Sequence, residues 1–388
     1  MKKVGILTMY NNSNNYGGVL QAYALQKAIE KLGYKCEQIS FRKTTQKKLT
    51  NNLKNRVETN GILEVCSWAI KRSNKVIVSK IAKKLYSKKY EEEILERKEK
   101  FKRYRDSIPH SCEYYSENIE ESLKNYDIYV CGSDQIWKPG VVCKEYLLEF
   151  VPDNKYKFSY AASISKNILS LDEREYLIKG INRLDCVSLR ESQTVEVIQQ
   201  FTDKKIESVL DPTLLISKEE WEKQCGVVKV NEKYIFCYLL GFDKKQRDII
   251  KKLALKTKMK IVTIPFADGK YNFMDNDFGD IKLCSAGPGE FLTLIKNAEL
   301  VITDSFHATV FSNIFETDFY VLGRTEEPAM NTRIISLLDM FNLQERLLYV
   351  ADELLNWKPI DFTKRKRYDK ELKKSEEYLV NALAERNK

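Results

Sequence analysis

Histidine is scarce in this chain of 388 residues, which has two, and its nine cysteines include no CxxC pair. Scattered cysteines of odd number do not make a closed disulfide framework. Cys131, Cys186 and Cys237 stand in apolar strand contexts and read as small core residues of a protein kept reduced. No run reaches the roughly 18 apolar residues that a membrane-spanning helix needs. The opening Met1-Lys-Lys-Val-Gly-Ile-Leu-Thr8 enters a strand pattern directly, with no signal-peptide h-region or cleavage site, so a cytoplasmic protein is expected. No cluster of His, Cys and carboxylates has metal-ligand spacing, and no metal is expected.

What is present is apolar residues at 43%, enough for ordinary cores, in a chain long enough for two domains. The net charge of +10 is local. Between Arg42 and Arg105 stand 20 Lys or Arg against 7 Asp or Glu, a net +13, which leaves the rest of the chain at −3. That distribution argues against a general nucleic-acid binder and for one basic patch. Residues 62–105 carry helical spacing with lysines off the apolar face. Two readings stay open: a face lying against an anionic membrane surface, and an ordinary solvated helix face.

The chain alternates strands and helices. Lys3–Met9 reads as a strand, Tyr10–Gly18 as a polar loop, Val19–Leu32 as a helix and Cys36–Phe41 as the next strand, a βαβ unit that implies a parallel sheet. Asp127–Trp137 runs from a strand into the loop Gly132-Ser133-Asp134-Gln135. In the second half the strands are 186–189, 234–240, 260–265, 300–302 and 319–322, interleaved with helices at 192–201, 244–256 and 289–298. The expected organisation is an α/β chain of two lobes with a cleft between them: residues 1–170 on the acceptor side with the basic helical insert 42–105, residues 171–360 on the donor side, and a terminal helix at 361–388 docking through Tyr378, Leu379 and Leu383.

The segment Glu299–Ser312 is the most telling. Its strand breaks at Thr303-Asp304-Ser305-Phe306 and a helix begins with His307 in the first turn. Ligands of open α/β sheets bind at the carboxyl ends of strands, where helix N-termini favour anions, and His is suited to proton transfer near neutral pH. A packing or capping role for this His is the plain alternative. For Arg190 the alternative to ligand binding is an ion pair with Glu191; for Asp134, a helix cap. Asn15 and Gly17 either shape their loop or bind, Tyr16 and Trp137 either stack on sugars or pack, and Asp211 before Pro212 reads as a turn.

Taken in order, several segments resemble the polysaccharide pyruvyl transferase family: Gly5–Thr8 with Asn15-Tyr-Gly-Gly-Val-Leu-Gln-Ala-Tyr-Ala-Leu-Gln26, Cys131–Trp137, Val187–Glu191, Val209–Thr213, Gly287–Phe291, Thr303–His307 and Asn331–Leu338. The resemblance implies two Rossmann-like lobes like those of the B-type glycosyltransferases, and transfer of pyruvate from phosphoenolpyruvate to a hexose diol as a cyclic ketal, with phosphoenolpyruvate as donor substrate and no cofactor. It casts His307 as general acid and Asp134 as its acceptor-side companion. Donor binding falls to Arg190, Ser305, Phe306, Arg333 and Gly287, and acceptor binding to Asn15, Tyr16, Gly17, Gln135 and Trp137. Many members carry arginine where this chain has Ser305, and Arg333 is the candidate replacement. A lipid-linked sugar at the inner membrane face is the acceptor this reading favours. The rival readings are a nucleotide-sugar glycosyltransferase, with Glu326-Glu327 as a possible ribose-binding pair, and a non-catalytic sugar-binding relative.

Overall fold

The computed structural model describes all residues except 1, 12, 44–87, 167, 266–271, 325–330, 365 and 385–388. The greater part of the basic insert and the Glu326-Glu327 pair therefore lie outside the described residues.

The first lobe contains β1 (Lys3–Leu7), α1 (Tyr16–Lys31), β2 (Lys35–Gln38), β3 (Phe41–Arg42), α2 (Glu91–Asp106), β4 (Tyr114–Tyr115), β5 (Ile128–Cys131), β6 (Tyr156–Ser159), α3 (Leu171–Ile181), β7 (Val187–Leu189), α4 (Ser192–Gln199) and β8 (Ile206–Ser208). Its central sheet has the order β2-β1-β5-β6, all parallel, as the opening βαβ pattern requires. β7 and β8 pair with each other, and single bridges from Phe158 to Cys186 and from Ala162 to Leu189 lay them beside β6. Leu177, Ile181, Val187, Leu189 and Ile206 share a core with Leu7, Tyr129 and Trp137. Residues 171–208 thus belong to the first lobe, and the boundary expected at 170 moves to the segment after β8. The strand signal at 186–189 was right, but its short apolar run does not reveal which sheet it joins.

The second lobe contains α5 (Lys218–Glu222), β9 (Tyr234–Tyr238), α6 (Lys244–Thr257), β10 (Lys260–Thr263), β11 (Ile281–Lys282), α7 (Pro288–Lys296), β12 (Leu300–Thr303), α8 (Phe306–Phe315), β13 (Phe319–Leu322), α9 (Thr332–Phe341), β14 (Leu347–Leu348) and α10 (Lys366–Ala384). Six parallel strands run in the order β11-β10-β9-β12-β13-β14. Both halves are Rossmann-like, each a parallel sheet interleaved with helices. Strands buried on both faces explain the near-continuous apolar runs Tyr234–Tyr238 and Leu300–Ile302.

Three features tie the lobes. Tyr16, Val19, Leu20 and Ala24 on α1 share an apolar core with Phe291 on α7 and Phe306 and Phe311 on α8. The terminal helix α10 returns to the first lobe: Leu379, Ala382 and Leu383 pack with Val4, Ile6 and Leu25, and Tyr378 Oη donates to the Ser159 carbonyl at 2.8 Å. Of the basic segment, α2 is described. It buries Arg97 and Phe101, and Lys100 forms an ion pair with Glu290 of α7 at 2.6 Å, so this stretch also braces the second lobe. Among the described residues no helix is long and apolar enough to cross a membrane.

Candidate active site

In two parallel sheets facing each other, the carboxyl ends of the strands meet at the cleft. Here they enclose a cavity of about 650 Å³, within the range of small-molecule sites. From the first lobe it is lined by Asn15, Tyr16 and Gly17 at the start of α1 and by Asp134, Gln135 and Lys138 after β5. The second lobe contributes Leu239–Lys244 after β9, Asp304–His307 after β12, Gly323 and Arg324 after β13, and Arg333 in the first turn of α9. Four helices (α1, α6, α8 and α9) thus present their N-terminal turns to one space, an arrangement that favours negative charge.

Local chemistry fixes each wall. Asn15 caps α1, its Oδ1 accepting from Gly18 N at 2.9 Å. Ser305 caps α8, its Oγ accepting from Ala308 N at 3.5 Å. Asp304 accepts from Leu240 N at 2.8 Å and Gly241 N at 2.7 Å and pairs with Arg324 Nε at 3.0 Å, which locks three strand ends together. Gly132 has φ of 120°, and a methyl there would collide with the Tyr160 carbonyl, so the turn into Asp134 requires glycine.

Beneath the cleft lies a charged cage. Arg190 is 5% exposed and contacts Asp211 at 2.6 Å, Glu191 at 3.4 Å and Asp134 at 3.6 Å. Burial works to lower the Arg190 pKa, but the Asp211, Glu191 and Asp134 carboxylates outweigh it and raise it. Burial would likewise push the Asp211 carboxyl up, yet His307, Arg190 and Thr213 hold it well below the usual carboxylate range. The guanidinium of Arg190 stacks under the Phe306 ring at 4.3 Å, and that of Arg333 lies 5.6 Å from the same ring.

Arg333 differs from its neighbours. Among the described residues it has no ion-pair partner; the Gln135 amide group meets its two Nη atoms, and with the amide oxygen turned toward them it accepts from both at 2.8 and 3.0 Å. Burial first, then the charges of Arg190 and Arg324, push its pKa down to about 10. It remains a cation at neutral pH, and the Asp134 and Glu191 carboxylates offset that lowering only in part.

His307 is 7% exposed at the lobe boundary. Its Nε2 lies 3.7 Å from Asp211 Oδ2. On its other side is Gly17, where a methyl would stand 2.5 Å from Cε1 and closer still to Nδ1. Only a residue without a side chain lets α1 approach the imidazole so closely.

The structure therefore gathers Asn15, Gly17, Asp134, Gln135, Ser305, Phe306, His307 and Arg333 around one cavity. Four other expected site residues are placed differently. Arg190 does not line the cavity; it sits behind Phe306, held by carboxylates. Trp137 is fully buried, with Nε1 donating to the Tyr146 carbonyl at 3.0 Å, and is a core residue. Gly287 precedes α7 beneath the Lys100 side chain, away from the cavity. Tyr16 reaches the cleft wall, but its ring is stacked on Phe291 at 4.5 Å and its Oη donates to the Ala286 carbonyl at 2.6 Å, so it packs the lobes together. Asp134 pairs with Arg190 and caps no helix. Asp211 does make the expected turn, accepting from Thr213 N at 3.1 Å, while its second oxygen serves the cage. Sequence reasoning passed over Arg324 and Lys138; a cation one or a few residues beyond a strand's carboxyl end was the available signal.

The fold has counterparts among solved structures. The MnaA–UDP co-structure from S. aureus matches over 99% of this chain and 96% of that one, with TM-score 0.52 and 12% identity. A UDP-GlcNAc 2-epimerase from Methanocaldococcus jannaschii covers 98% and 93% at TM-score 0.49 and 13% identity. The heptosyltransferase WaaC from E. coli with ADP covers 84% and 89% at 0.38 and 12%. At such identities the likeness concerns the fold alone. No curated protein sequence gives a match. The family comparison is decisive: the polysaccharide pyruvyl transferase model matches residues 15–326, from the cap of α1 through both walls of the cleft, and the chain is a transferase belonging to that family.

Proposed function

We propose that the cleft transfers pyruvate from phosphoenolpyruvate to a pair of hexose hydroxyls, most simply a 4,6-diol, and releases phosphate. The observation that carries this reading is Arg333, a buried cation with no ion-pair partner among the described residues, beside His307 in a cavity ringed by helix N-termini. A compact donor bearing a carboxylate and a phosphate supplies the missing charge, and arginine's planar fork suits both groups. Arg333 takes the place of the arginine that Ser305 lacks, with Arg324 beside it.

In the proposed course His307 gives a proton to the methylene carbon of the donor, which leaves the enol carbon electrophilic. One sugar hydroxyl adds there and loses its proton; the second displaces phosphate, loses its proton and closes the ketal. The two hydroxyl protons restore His307 and accompany the phosphate, so the step balances. Asn15, Gly17, Gln135 and Asp134 face this point from the first lobe and form the acceptor side. The acceptor we propose is a surface-polysaccharide precursor, carried on a lipid at the cytoplasmic membrane face. The test is acceptor-dependent phosphate release from phosphoenolpyruvate with lipid-linked and soluble hexose acceptors. Release only with a 4,6-diol supports the reading. Turnover of a nucleotide sugar without phosphoenolpyruvate would move the protein to the glycosyltransferases.

A further inference from the structure

The two ring nitrogens of His307 have different surroundings. Nε2 is sealed from solvent and has no hydrogen-bond partner within reach. The nearest anion is Asp211 Oδ2, 3.7 Å away, on a side chain that is itself 0% exposed. Apo sites often hold such contacts long and shorten them when substrate binds. Asp211 cannot swing aside. Its Oδ1 accepts from Thr213 N at 3.1 Å and Thr213 Oγ1 at 2.6 Å, and its Oδ2 accepts from Arg190 Nη1 at 2.6 Å and Ser133 Oγ at 3.3 Å. Nδ1 is the nitrogen nearest Gly17, and both residues line the cavity. Asp211 follows β8 in the first lobe, whereas His307 opens α8 in the second, so the contact spans the lobe boundary.

We infer that Asp211 is a positioning residue for His307: its fixed carboxylate receives the Nε2–H edge and leaves Nδ1, over Gly17, as the nitrogen that handles the substrate proton. The last clause rests on the function proposed above; the Asp211–His307 link does not. Asp211 stays ionised throughout, so nothing is relayed through it; the imidazolium loses its Nδ1 proton to the donor carbon and regains one from an attacking hydroxyl. Other charged groups of the cage and the cavity wall include Arg190 and Glu191 after β7, Asp134 after β5, Asp304 after β12 and Arg333 on α9, while the first turn of α1 brings no acidic residue. Asp211 is thus the carboxylate placed to act on Nε2.

The chain has two histidines, and His110 is exposed on the far loop before β4, so His110→Gln leaves a single imidazole to observe. In ¹⁵N spectra of that protein, the neutral ring of His307 is expected as the Nε2–H tautomer. Asp211→Asn, which no longer presents a carboxylate to Nε2, is expected to move the ring toward the Nδ1–H tautomer. kcat should fall with the loss of that tautomer, by on the order of tenfold, while KM for phosphoenolpyruvate stays within about twofold. An Nδ1–H tautomer in the wild type overturns the inference, and so does an Asp211→Asn protein whose tautomer balance is unchanged. If Asp211→Asn does not fold, the wild-type tautomer decides alone. Should the spectra hold while phosphoenolpyruvate proves not to be turned over, the positioning stands and the substrate reading falls.

Discussion

Substitution of Gly17 by alanine sets two effects of opposite sign against each other. Gly17 lies in the first turn of α1 with no left-handed backbone requirement, so by helix propensity alone alanine would stabilise the protein by roughly 0.5–1 kcal/mol. The added methyl, however, would stand 2.5 Å from His307 Cε1 and closer to Nδ1, where ordinary contact begins near 3.4 Å. The ring has α1 on one side and Asp211 3.7 Å away on the other, so it yields only by turning into the cavity it lines. Overpacking of this kind costs about 1–3 kcal/mol, which exceeds the propensity gain, so the net expectation is a loss of about 1–2 kcal/mol. The effect on turnover is larger: a shift of about 1 Å in a reacting group costs on the order of 10²-fold. Thermal unfolding and kcat, measured together on Gly17→Ala, test both. A variant more stable than the wild type and equally active would refute the placement of His307 against α1.

Arg333→Gln removes a buried cation that has no ion-pair partner among the described residues. Its pKa, pushed down to about 10, corresponds to about 3 kcal/mol by which the fold disfavours the charged form. Added phosphate or sulfate should therefore raise the melting temperature of the wild type and leave Arg333→Gln unmoved, as followed by a thermal-shift titration. Asp211→Asn should cost about 3 kcal/mol at neutral pH, because it breaks a buried ion-pair network. The Asp211 pKa is depressed in the fold, so its contribution is present above the ordinary value of 3.8 and fades as pH falls below that toward the folded value. Denaturant melts at several pH values should show the gap between wild type and Asp211→Asn closing only under strongly acid conditions.

The alternation of apolar strands, polar loops and helices made the two Rossmann-like lobes legible, because period and punctuation are local properties. β13 was read at Phe319–Leu322 and observed there. Sheet membership is not local: β7 carries the same apolar signature whichever lobe it joins, and only its bridges to β6 assign it. The cleft residues at strand ends, His307, Asp134 and Gln135, were legible because strand-to-helix junctions are where parallel sheets bind ligands, whereas Arg333 came only from the family resemblance. Trp137 and Tyr16 were ambiguous for the opposite reason, since an aromatic beside a loop packs or stacks according to neighbours distant in sequence. The role of Gly17 depends on a histidine 290 positions away, and no local pattern encodes that approach.

Calorimetric titration with phosphoenolpyruvate, alongside UDP-sugars, tests the account most directly when wild type and Arg333→Gln are compared. The account predicts saturable phosphoenolpyruvate binding to the wild type that is lost in Arg333→Gln, and no saturable binding of UDP-sugars. Tight UDP-sugar binding with no heat from phosphoenolpyruvate would contradict it.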